Sequence, residues 1–342
     1  MAVHDVVYIE LYTSNRKSVV DYFVSSLGFT QAAEAVGVDR SSALLRQGTV
    51  QLIVTTGPAT WKFLSSHGDG IADIALTCDD VGQSLRSAVA AGATVTGSAQ
   101  DNPTVSGAGS VAHTLLPRTA GPAAGPPPGR RWALAPYGPS ASHSGRIQLL
   151  DHIAVCLEGA TLDTYADFYR EAFGLSRRSP AYVEAGEPAT DSVVVRGSSG
   201  RVVFTLVAPD PRKGPGRLDA FLERNGGPGV QRLAFRVESV IPAVHEFRDR
   251  GVEFLTVPDA YYDGLDERLP GGQAQIDTLR SARVLTDRDE RGDLLLLQLF
   301  SSPHERNTLF YELIERRGSR GFGSGNIHAL YEAVERDLLA AE

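Results

Sequence analysis

A strand followed by a helix recurs four times along the 342-residue chain, and this internal repeat constrains the fold more than any other feature. In each copy an alternating apolar strand leads into an amphipathic helix, which ends near a glycine suited to a left-handed C-cap. Alternating β-branched runs follow each helix. The repeating unit is therefore a strand, a helix and then several strands. The predicted first strands lie at 7–11, 72–76, 151–155 and 231–235, and the predicted helices at 18–27, 81–91, 162–173 and 240–250.

A segment rich in glycine and proline separates the second copy from the third. Its run GPAAGPPPG at 121–129 excludes a helix or the interior of a sheet, because proline lacks the backbone donor and fixes φ. The sequence therefore predicts two domains, 1–116 and 147–342, joined by a linker at 117–146. We expect an α+β fold in which tandem βαβββ modules shape each domain into a cupped half-barrel around a cavity.

Charge and hydropathy exclude two classes of partner. The chain has 33 Lys and Arg against 41 Asp and Glu, a net charge of -8, whereas binding to nucleic acid requires a basic surface. No apolar run approaches the roughly 20 residues of a membrane span, and the first residues lack the features of a signal peptide. We expect a cytoplasmic protein with no nucleic-acid or membrane partner.

Three polar residues fall on the predicted cavity face of the second domain. His152 and Arg232 alternate with apolar residues that should face the helices, so both should point into the cup. Glu312 interrupts an otherwise apolar strand, and a buried carboxylate needs a cation or a metal as partner. These residues are the candidate site.

The first domain offers a poorer set of ligands. The corresponding positions hold Tyr8, Asp73 and Thr114, so we predict no metal there. Cys78 and Cys156 each lie in an apolar strand-like run and are expected to be buried free thiols. Any metal would therefore be held by His, Asp and Glu.

Several segments in the last third of the chain form a distinctive set. They read GVEFL at 251–255, PDAYYD at 258–263, LQLF at 297–300, FYELIERR at 310–317 and GFGSGN at 321–326. This set resembles the 4-hydroxyphenylpyruvate dioxygenase family of the vicinal-oxygen-chelate superfamily. Three more segments are most similar to its 4-hydroxymandelate synthase branch: ALLRQG at 43–48, HGDGIADI at 67–74 and NIHALYEAV at 326–334. Ile327 is the position that distinguishes this branch, because the ring-hydroxylating members of the family typically carry Phe there.

The resemblance implies tandem vicinal-oxygen-chelate modules and a non-heme Fe(II) centre on two histidines and one glutamate. An aromatic 2-oxoacid and O2 would be the substrates, decarboxylation would be coupled to hydroxylation, and the branch implies secondary metabolism. His152 and Glu312 match two of the metal ligands. The apolar stripe of the helix predicted at 326–339 needs a surface to pack on, so we expect that helix to close the cavity as a lid. The positions that match the substrate pocket are Ser192, Thr205, Gln298, Phe300, Phe310, Phe322, Ile327 and Tyr331.

The remaining ligand position departs from the family. Where the family has Val-Gln-His, this chain reads Val230-Gln231-Arg232. A guanidinium group has only donors and stays protonated, so it cannot ligate iron. We therefore predict that Arg232 pairs with Glu312 across the cup, and that the cofactor is either weakly held Fe(II) or absent.

Three functions remain open, with His152, Arg232 and Glu312 as the candidate catalytic residues. The first is an oxygenase of the hydroxymandelate-synthase type acting on an arylpyruvate. The second is a metal-free protein in which Arg232 binds the carboxylate of an aromatic acid and His152 acts as a base. The third is a non-catalytic, ligand-binding pseudoenzyme. The resemblance also leaves a homodimer open.

Overall fold

The structure is a computed structural model. It describes residues 2–99, 102–120, 125–135, 145–178, 190–212, 214–265, 273–288, 295–300 and 309–319, together with Gly321 and Asn326. Among these residues, no helix has both the length and the apolar character needed to cross a membrane.

The described part of the first domain forms one mixed sheet with the strand order β6-β7-β8-β5-β1-β4-β3-β2-β9. Its strands are Val3–Tyr12 (β1), Thr30–Val36 (β2), Ser41–Gln47 (β3), Val50–Thr56 (β4), Gly70–Cys78 (β5), Val95–Ala99 (β6), Asn102–Ser106 (β7), Ala112–Pro117 (β8) and Ala133–Leu134 (β9). Its helices are Arg16–Asp21 (α1), Trp61–His67 (α2) and Val81–Ala90 (α3), and a π-helical turn, Tyr22–Ser26, follows α1. Two short 3-10 helices span Pro58–Thr60 and Arg118–Ala120.

The second domain forms a mixed sheet with the strand order β11-β12-β13-β10-β14-β17-β16-β15. Its strands are Ile147–Cys156 (β10), Ser176–Arg178 (β11), Thr190–Arg196 (β12), Val203–Pro209 (β13), Gly229–Val237 (β14), Leu285–Arg288 (β15), Leu295–Phe300 (β16) and Phe310–Arg317 (β17). Its helices are Leu162–Phe173 (α4), Arg217–Arg224 (α5), Val240–Asp249 (α6), Asp259–Asp263 (α7) and Gln273–Ala282 (α8).

Each sheet is built from two βαβββ modules, as the sequence repeat predicts. The first strands of the two modules pair antiparallel at the centre, β1 with β5 and β10 with β14. On its other side each central strand pairs in parallel with the last strand of its own module, namely β4, β8, β13 and β17. The predicted fold class is confirmed, and the strands that the structure describes form two open sheets rather than closed barrels.

The two faces of the sheets differ as the alternation predicts. Ile153 and Val155 of β10, with Leu233 and Phe235 of β14, belong to the main hydrophobic core. That core continues across both domains, since the ring of Phe29 lies 6.1 Å from the ring of Phe235. The opposite faces carry the polar residues. We call the inner face around Tyr8, Glu10 and Asp73 the N-terminal cup, and the inner face around His152, Arg232 and Glu312 the C-terminal cup.

Part of the predicted linker folds back onto the N-terminal cup. Ala133–Leu134 pairs with β2 at the edge of the sheet, and Trp132 packs against the apolar residues of this cup. Nη2 of Arg130 donates to both carboxylate oxygens of buried Glu10, at 2.5 and 2.6 Å. The guanidinium of Arg130 also lies 5.8 Å from the centre of the Trp132 ring. Residues 125–135 therefore cover the N-terminal cup.

Candidate functional site

The candidate residues of the second domain lie on neighbouring strands of one sheet. His152 on β10 is opposite Ala234 on β14, and Ala234 is opposite Glu312 on β17. Arg232 precedes Ala234 by two residues, so its side chain lies on the same face. Strand register therefore brings together the three residues that the sequence predicts for the site.

The carboxylate of Glu312 is the centre of this group. Nε of Arg232 lies 3.0 Å from Oε2 of Glu312, and Nε2 of His152 lies 3.4 Å from the same oxygen. The side chains of His152 and Glu312 are fully buried, whereas 12% of the Arg232 side chain is exposed. The ion pair predicted from the sequence is present, and the guanidinium occupies the space beside the carboxylate.

A β-bulge places Asp151 beside His152. The pairing of β10 with β14 passes from Leu150 to His152 while β14 advances by one residue, so Asp151 is the extra residue. Oδ1 of Asp151 lies 3.0 Å from Nδ1 of His152. Arg316 donates to both oxygens of Asp151, from Nε at 2.7 Å and from Nη2 at 2.6 Å. The carboxylate orients the imidazole, and Arg316 fixes the carboxylate.

The acidic and basic groups of this site contact one another in turn, and these contacts determine the pKa shifts of His152 and Asp151. Burial disfavours the imidazolium of His152, but Glu312 and Asp151 outweigh that effect, so the pKa of His152 is raised. Burial also disfavours the ionised form of Asp151, yet Arg316 and His152 hold the pKa of this carboxyl well below its usual range. A raised pKa favours the imidazolium, which has only donors, and works against His152 as a base.

The remaining pocket positions are partly described. Thr205 lies opposite Ala154 on the cup face, and its buried Oγ1 makes no hydrogen bond within the described part of the chain. The half-buried ring of Phe310 has its centre 5.9 Å from the guanidinium carbon of Arg232. Ser192 lies on β12 opposite Val207.

The backbone of β16 carries two further pocket positions. Gln298 is opposite Ile314, and Phe300 is opposite Glu312. The predicted pocket residues Phe322, Ile327 and Tyr331, and the lid helix predicted at 326–339 beyond Asn326, lie outside the described residues.

The equivalent positions of the first domain form a closed hydrogen-bond cluster. Tyr8 is opposite Ala75, just as His152 is opposite Ala234. The hydroxyls of Tyr8 and Thr114 both donate to Oδ2 of Asp73, at 3.0 and 2.7 Å, and the amide of Thr114 donates to Oδ1 at 2.9 Å.

His113 lies apart from this cluster. Its ring nitrogens contact the hydroxyl of Tyr169 and the carbonyl of Ile74, both at 3.1 Å. Cys78 and Cys156 are buried free thiols, as predicted.

Comparison with known proteins shows which family this chain belongs to. Residues 1–118 match the family described as "Hydroxyphenylpyruvate dioxygenase, HPPD, N-terminal", and residues 149–268 match the "Glyoxalase/Bleomycin resistance protein/Dioxygenase superfamily". A solved triple mutant of 4-hydroxymandelate synthase from Streptomyces coelicolor is 43% identical, with a TM-score of 0.88, over 99% of this chain and 100% of that chain. The chain belongs to the 4-hydroxyphenylpyruvate dioxygenase family.

Two curated members of this family match over nearly the same length. The 4-hydroxyphenylpyruvate dioxygenase of Yarrowia lipolytica is 28% identical over 96% of this chain and 91% of its own length. The enzyme of Danio rerio is 27% identical over 96% of this chain and 89% of its own length. The resemblance identified from the sequence is confirmed.

The residues of this chain do not fit the Fe(II) centre of the dioxygenase family. Arg232 supplies a permanent positive charge and no lone pair where the family pattern has a histidine. Its Nε already lies 3.0 Å from Oε2 of Glu312 and so occupies space beside the carboxylate that would have to hold the metal. Among the described residues, no group of three His, Cys, Asp or Glu side chains is arranged to hold a metal ion.

Asp151 and Arg316 are the site residues that the sequence reasoning missed. Strict alternation assigns Asp151 to the face opposite His152, and only the bulge overrides that assignment. A weak signal was available, because Asp151 directly precedes His152 and a carboxylate often supports a histidine in such sites. Arg316 contacts Asp151 across 165 positions of sequence, which no local pattern indicates.

Proposed function

We propose that the C-terminal cup binds an aromatic 2-oxoacid without Fe(II), with the guanidinium of Arg232 as the cation of the site. The observation that supports this proposal is the 3.0 Å contact between Nε of Arg232 and Oε2 of Glu312. A carboxylate that is fully buried must be neutralised, and here the protein neutralises it with its own cation.

The ligand class follows from the relatives. Their names are 4-hydroxyphenylpyruvate dioxygenase and 4-hydroxymandelate synthase, so an aromatic ring and an acid group are common to what they act on or produce. We extend this class to the present chain because its identity to the latter protein is 43% over the whole length.

The side chains of the cup offer complementary contacts for such a molecule. Phe310 presents a half-buried ring beside the guanidinium of Arg232 and can stack on the ligand ring. A guanidinium has five N–H donors in a planar fork, so Arg232 can donate hydrogen bonds to a ligand carboxylate while it remains paired with Glu312. The buried hydroxyl of Thr205 can bond a ligand oxygen.

A second candidate is the oxygenase activity of the relatives, in which an arylpyruvate is decarboxylated and hydroxylated with O2. The neighbouring His152 and Glu312, with Nε2 and Oε2 3.4 Å apart, favour it because both residue types are metal ligands in the family. In this candidate His152 and Glu312 would be the residues to hold Fe(II), and the metal would supply the activation of O2. The residues of this chain would contribute the Asp151 contact that orients His152.

Calorimetric titration of metal-stripped protein tests the binding proposal. We expect 4-hydroxyphenylpyruvate and phenylpyruvate to bind anaerobically with a Kd that EDTA does not change. Thr205→Val should weaken binding several-fold, whereas Thr96→Val, the same change at an exposed strand position, should not. Binding that disappears with EDTA and returns with Fe(II) would contradict the proposal.

Metal analysis separates the two candidates. After anaerobic loading with Fe(II) and desalting, we expect far less than one iron per chain. One iron per chain together with O2 uptake on 4-hydroxyphenylpyruvate would establish the oxygenase and overturn the metal-free proposal.

A further inference from the structure

A cavity of about 350 Å³ lies between the two domains. The first domain lines it with parts of β1 and β4, and the second domain with parts of β10, β12, β13, β14 and β17. His152, Arg232 and Glu312 do not line it, although Asp151 and Arg316, which support His152, form part of its wall. The cavity is therefore adjacent to the C-terminal cup and opens onto different residues. Its volume is in the range of small-molecule sites.

The polar lining carries an excess of positive charge. Two of its arginines are paired with acids, since Arg201 contacts Asp5 at 3.0 Å and Arg316 contacts Asp151 at 2.6 Å. Arg196 and Arg236 also line the cavity, and among the described residues no further acid belongs to its lining. Arg236 therefore adds a positive charge that neither Asp5 nor Asp151 pairs with.

Arg236 is the centre of this excess charge. It is half-buried, and it makes no hydrogen bond or ion pair with the residues that the structure describes. A guanidinium held in a partly desolvated cavity attracts an anion more strongly than one in water. Its planar fork matches a carboxylate or a phosphate.

The wall also has an apolar part, beside the polar residues Tyr8, Thr49, Gln51 and Ser319. The side chains that supply this surface are Val6, Ile9, Val50, Leu149, Leu150 and Val203. An apolar surface with a few converging charged groups is typical of a site for a small organic molecule. Inorganic phosphate alone would leave this surface in contact with water.

We propose that the cavity between the domains binds a small organic anion, with its phosphate or carboxylate at Arg236 and its apolar body against the wall formed by β1 and β10. This proposal does not rest on the ligand of the C-terminal cup. It assigns a second site to the chain and makes the contact between the domains part of that site.

Two titrations test the proposal. Phenyl phosphate is the probe with a phosphate group, and phenylacetate is the probe with a carboxylate group. We expect one molecule per chain, a loss of affinity of at least tenfold in Arg236→Gln, and an intermediate loss in Arg236→Lys. Arg224→Gln, at an exposed helix position, is the matched control and should behave like the parent. Tighter binding of phenyl phosphate or of phenylacetate identifies the anionic group that the site prefers.

The two components of the ligand are tested separately. Inorganic phosphate and phenol should each bind more weakly than phenyl phosphate, because each lacks one component. Titrations repeated with Thr205→Val, which changes the C-terminal cup and not the cavity, should give the same Kd as the parent. Equal affinities in Arg236→Gln and Arg224→Gln, or a loss in Thr205→Val as large as in Arg236→Gln, would overturn the proposal. Circular dichroism and urea midpoints confirm that each variant is folded.

Discussion

Arg232 and Glu312 are diagonal neighbours on parallel strands, since Arg232 is opposite Phe310 and Glu312 lies two residues further along β17. Diagonal positions on one face of a sheet are within reach of long side chains. The ion pair is therefore a consequence of the strand register that the whole second domain maintains.

Removal of the Arg232 charge alone should destabilise the fold. Arg232→Met leaves buried Glu312 without its guanidinium partner, which costs about 3–5 kcal/mol in the free energy of unfolding. The double variant Arg232→Met/Glu312→Leu removes both charges and should regain most of that loss. Urea unfolding measures both. Arg170→Met removes an exposed ion pair with Asp167 and should cost no more than about 1 kcal/mol. A loss in Arg232→Met as small as in this control would show that Glu312 is neutralised in another way.

Arg232→His should create affinity for Fe(II). The variant places a second imidazole beside His152 and Glu312, which is the two-histidine, one-carboxylate set of non-heme iron oxygenases. We expect iron retained after desalting to rise to about one per chain, and Co(II) to give absorption bands that the parent lacks. Arg232→Gln is the matched control, because it removes the charge without supplying a comparable ligand. Equal iron contents in Arg232→His and Arg232→Gln would show that the absence of a histidine at position 232 is not what prevents iron binding.

Arg316→Gln should destabilise the protein most at neutral pH. Asp151 has a lowered pKa in the folded state, so its contribution to stability is present above its ordinary pKa of 3.8 and is lost as the pH falls below that value. Without Arg316 we expect a loss of about 3 kcal/mol at pH 7 that shrinks in acid. Urea unfolding from pH 3 to pH 7 measures this trend. Arg177→Gln, which removes an exposed pair with Asp163, should show a small loss at every pH. A loss in Arg316→Gln that stays constant with pH would contradict this account.

Asp73 should make the protein less stable as the pH rises from about 4 to 6. Burial, with Glu10 adding to it, raises the pKa of Asp73 from 3.8 to about 6 despite hydrogen bonds from Thr114 and Tyr8. The folded protein therefore holds this proton more tightly than the unfolded chain, and stability falls by about 3 kcal/mol across that interval. Asp73→Asn stays neutral and should lack this fall. Relative to the parent, the variant should gain stability as the pH rises.

The difference between parent and variant isolates Asp73 from His113. Burial lowers the pKa of His113 from 6.5 to about 4, so this residue contributes stability that is lost as the pH falls between those values. That trend has the opposite sign and is present in both proteins, so it cancels in the difference. Urea unfolding at pH 4, 5, 6 and 7 provides the values. If the difference in unfolding free energy between the parent and Asp73→Asn does not change with pH, burial does not raise the pKa of Asp73.

The sequence predicts the modules and the cup face because both depend on local alternation. His152, Arg232 and Glu312 each interrupt an apolar pattern of period two, so their common face can be inferred without knowledge of tertiary contacts. The helix boundaries agree to within one residue for α3, α4 and α6. The first helix differs, because α1 ends at Asp21 and continues as a π-helical turn.

The remainder of the site depends on contacts that no local pattern encodes. The bulge that turns Asp151 toward His152 is a property of the paired strands, not of β10 alone. Glu10 alternates with apolar neighbours just as His152 does, but its partner Arg130 lies 120 positions away in a segment without periodicity. The linker is therefore predictable as a break in regular structure, but its packing on the N-terminal cup is not.

The segment at 125–135 acts as a ligand that is permanently tethered to its receptor. A covalent tether gives Arg130 and Trp132 an effective concentration of the order of millimolar at the N-terminal cup, and any free molecule has to compete with it. Although the chain contains two cups built from the same pair of modules, we expect a diffusing ligand at the C-terminal cup and not on the face of the N-terminal cup that residues 125–135 cover. The expected stoichiometry at the cups is one molecule per chain, which is asymmetric although the architecture is nearly symmetric.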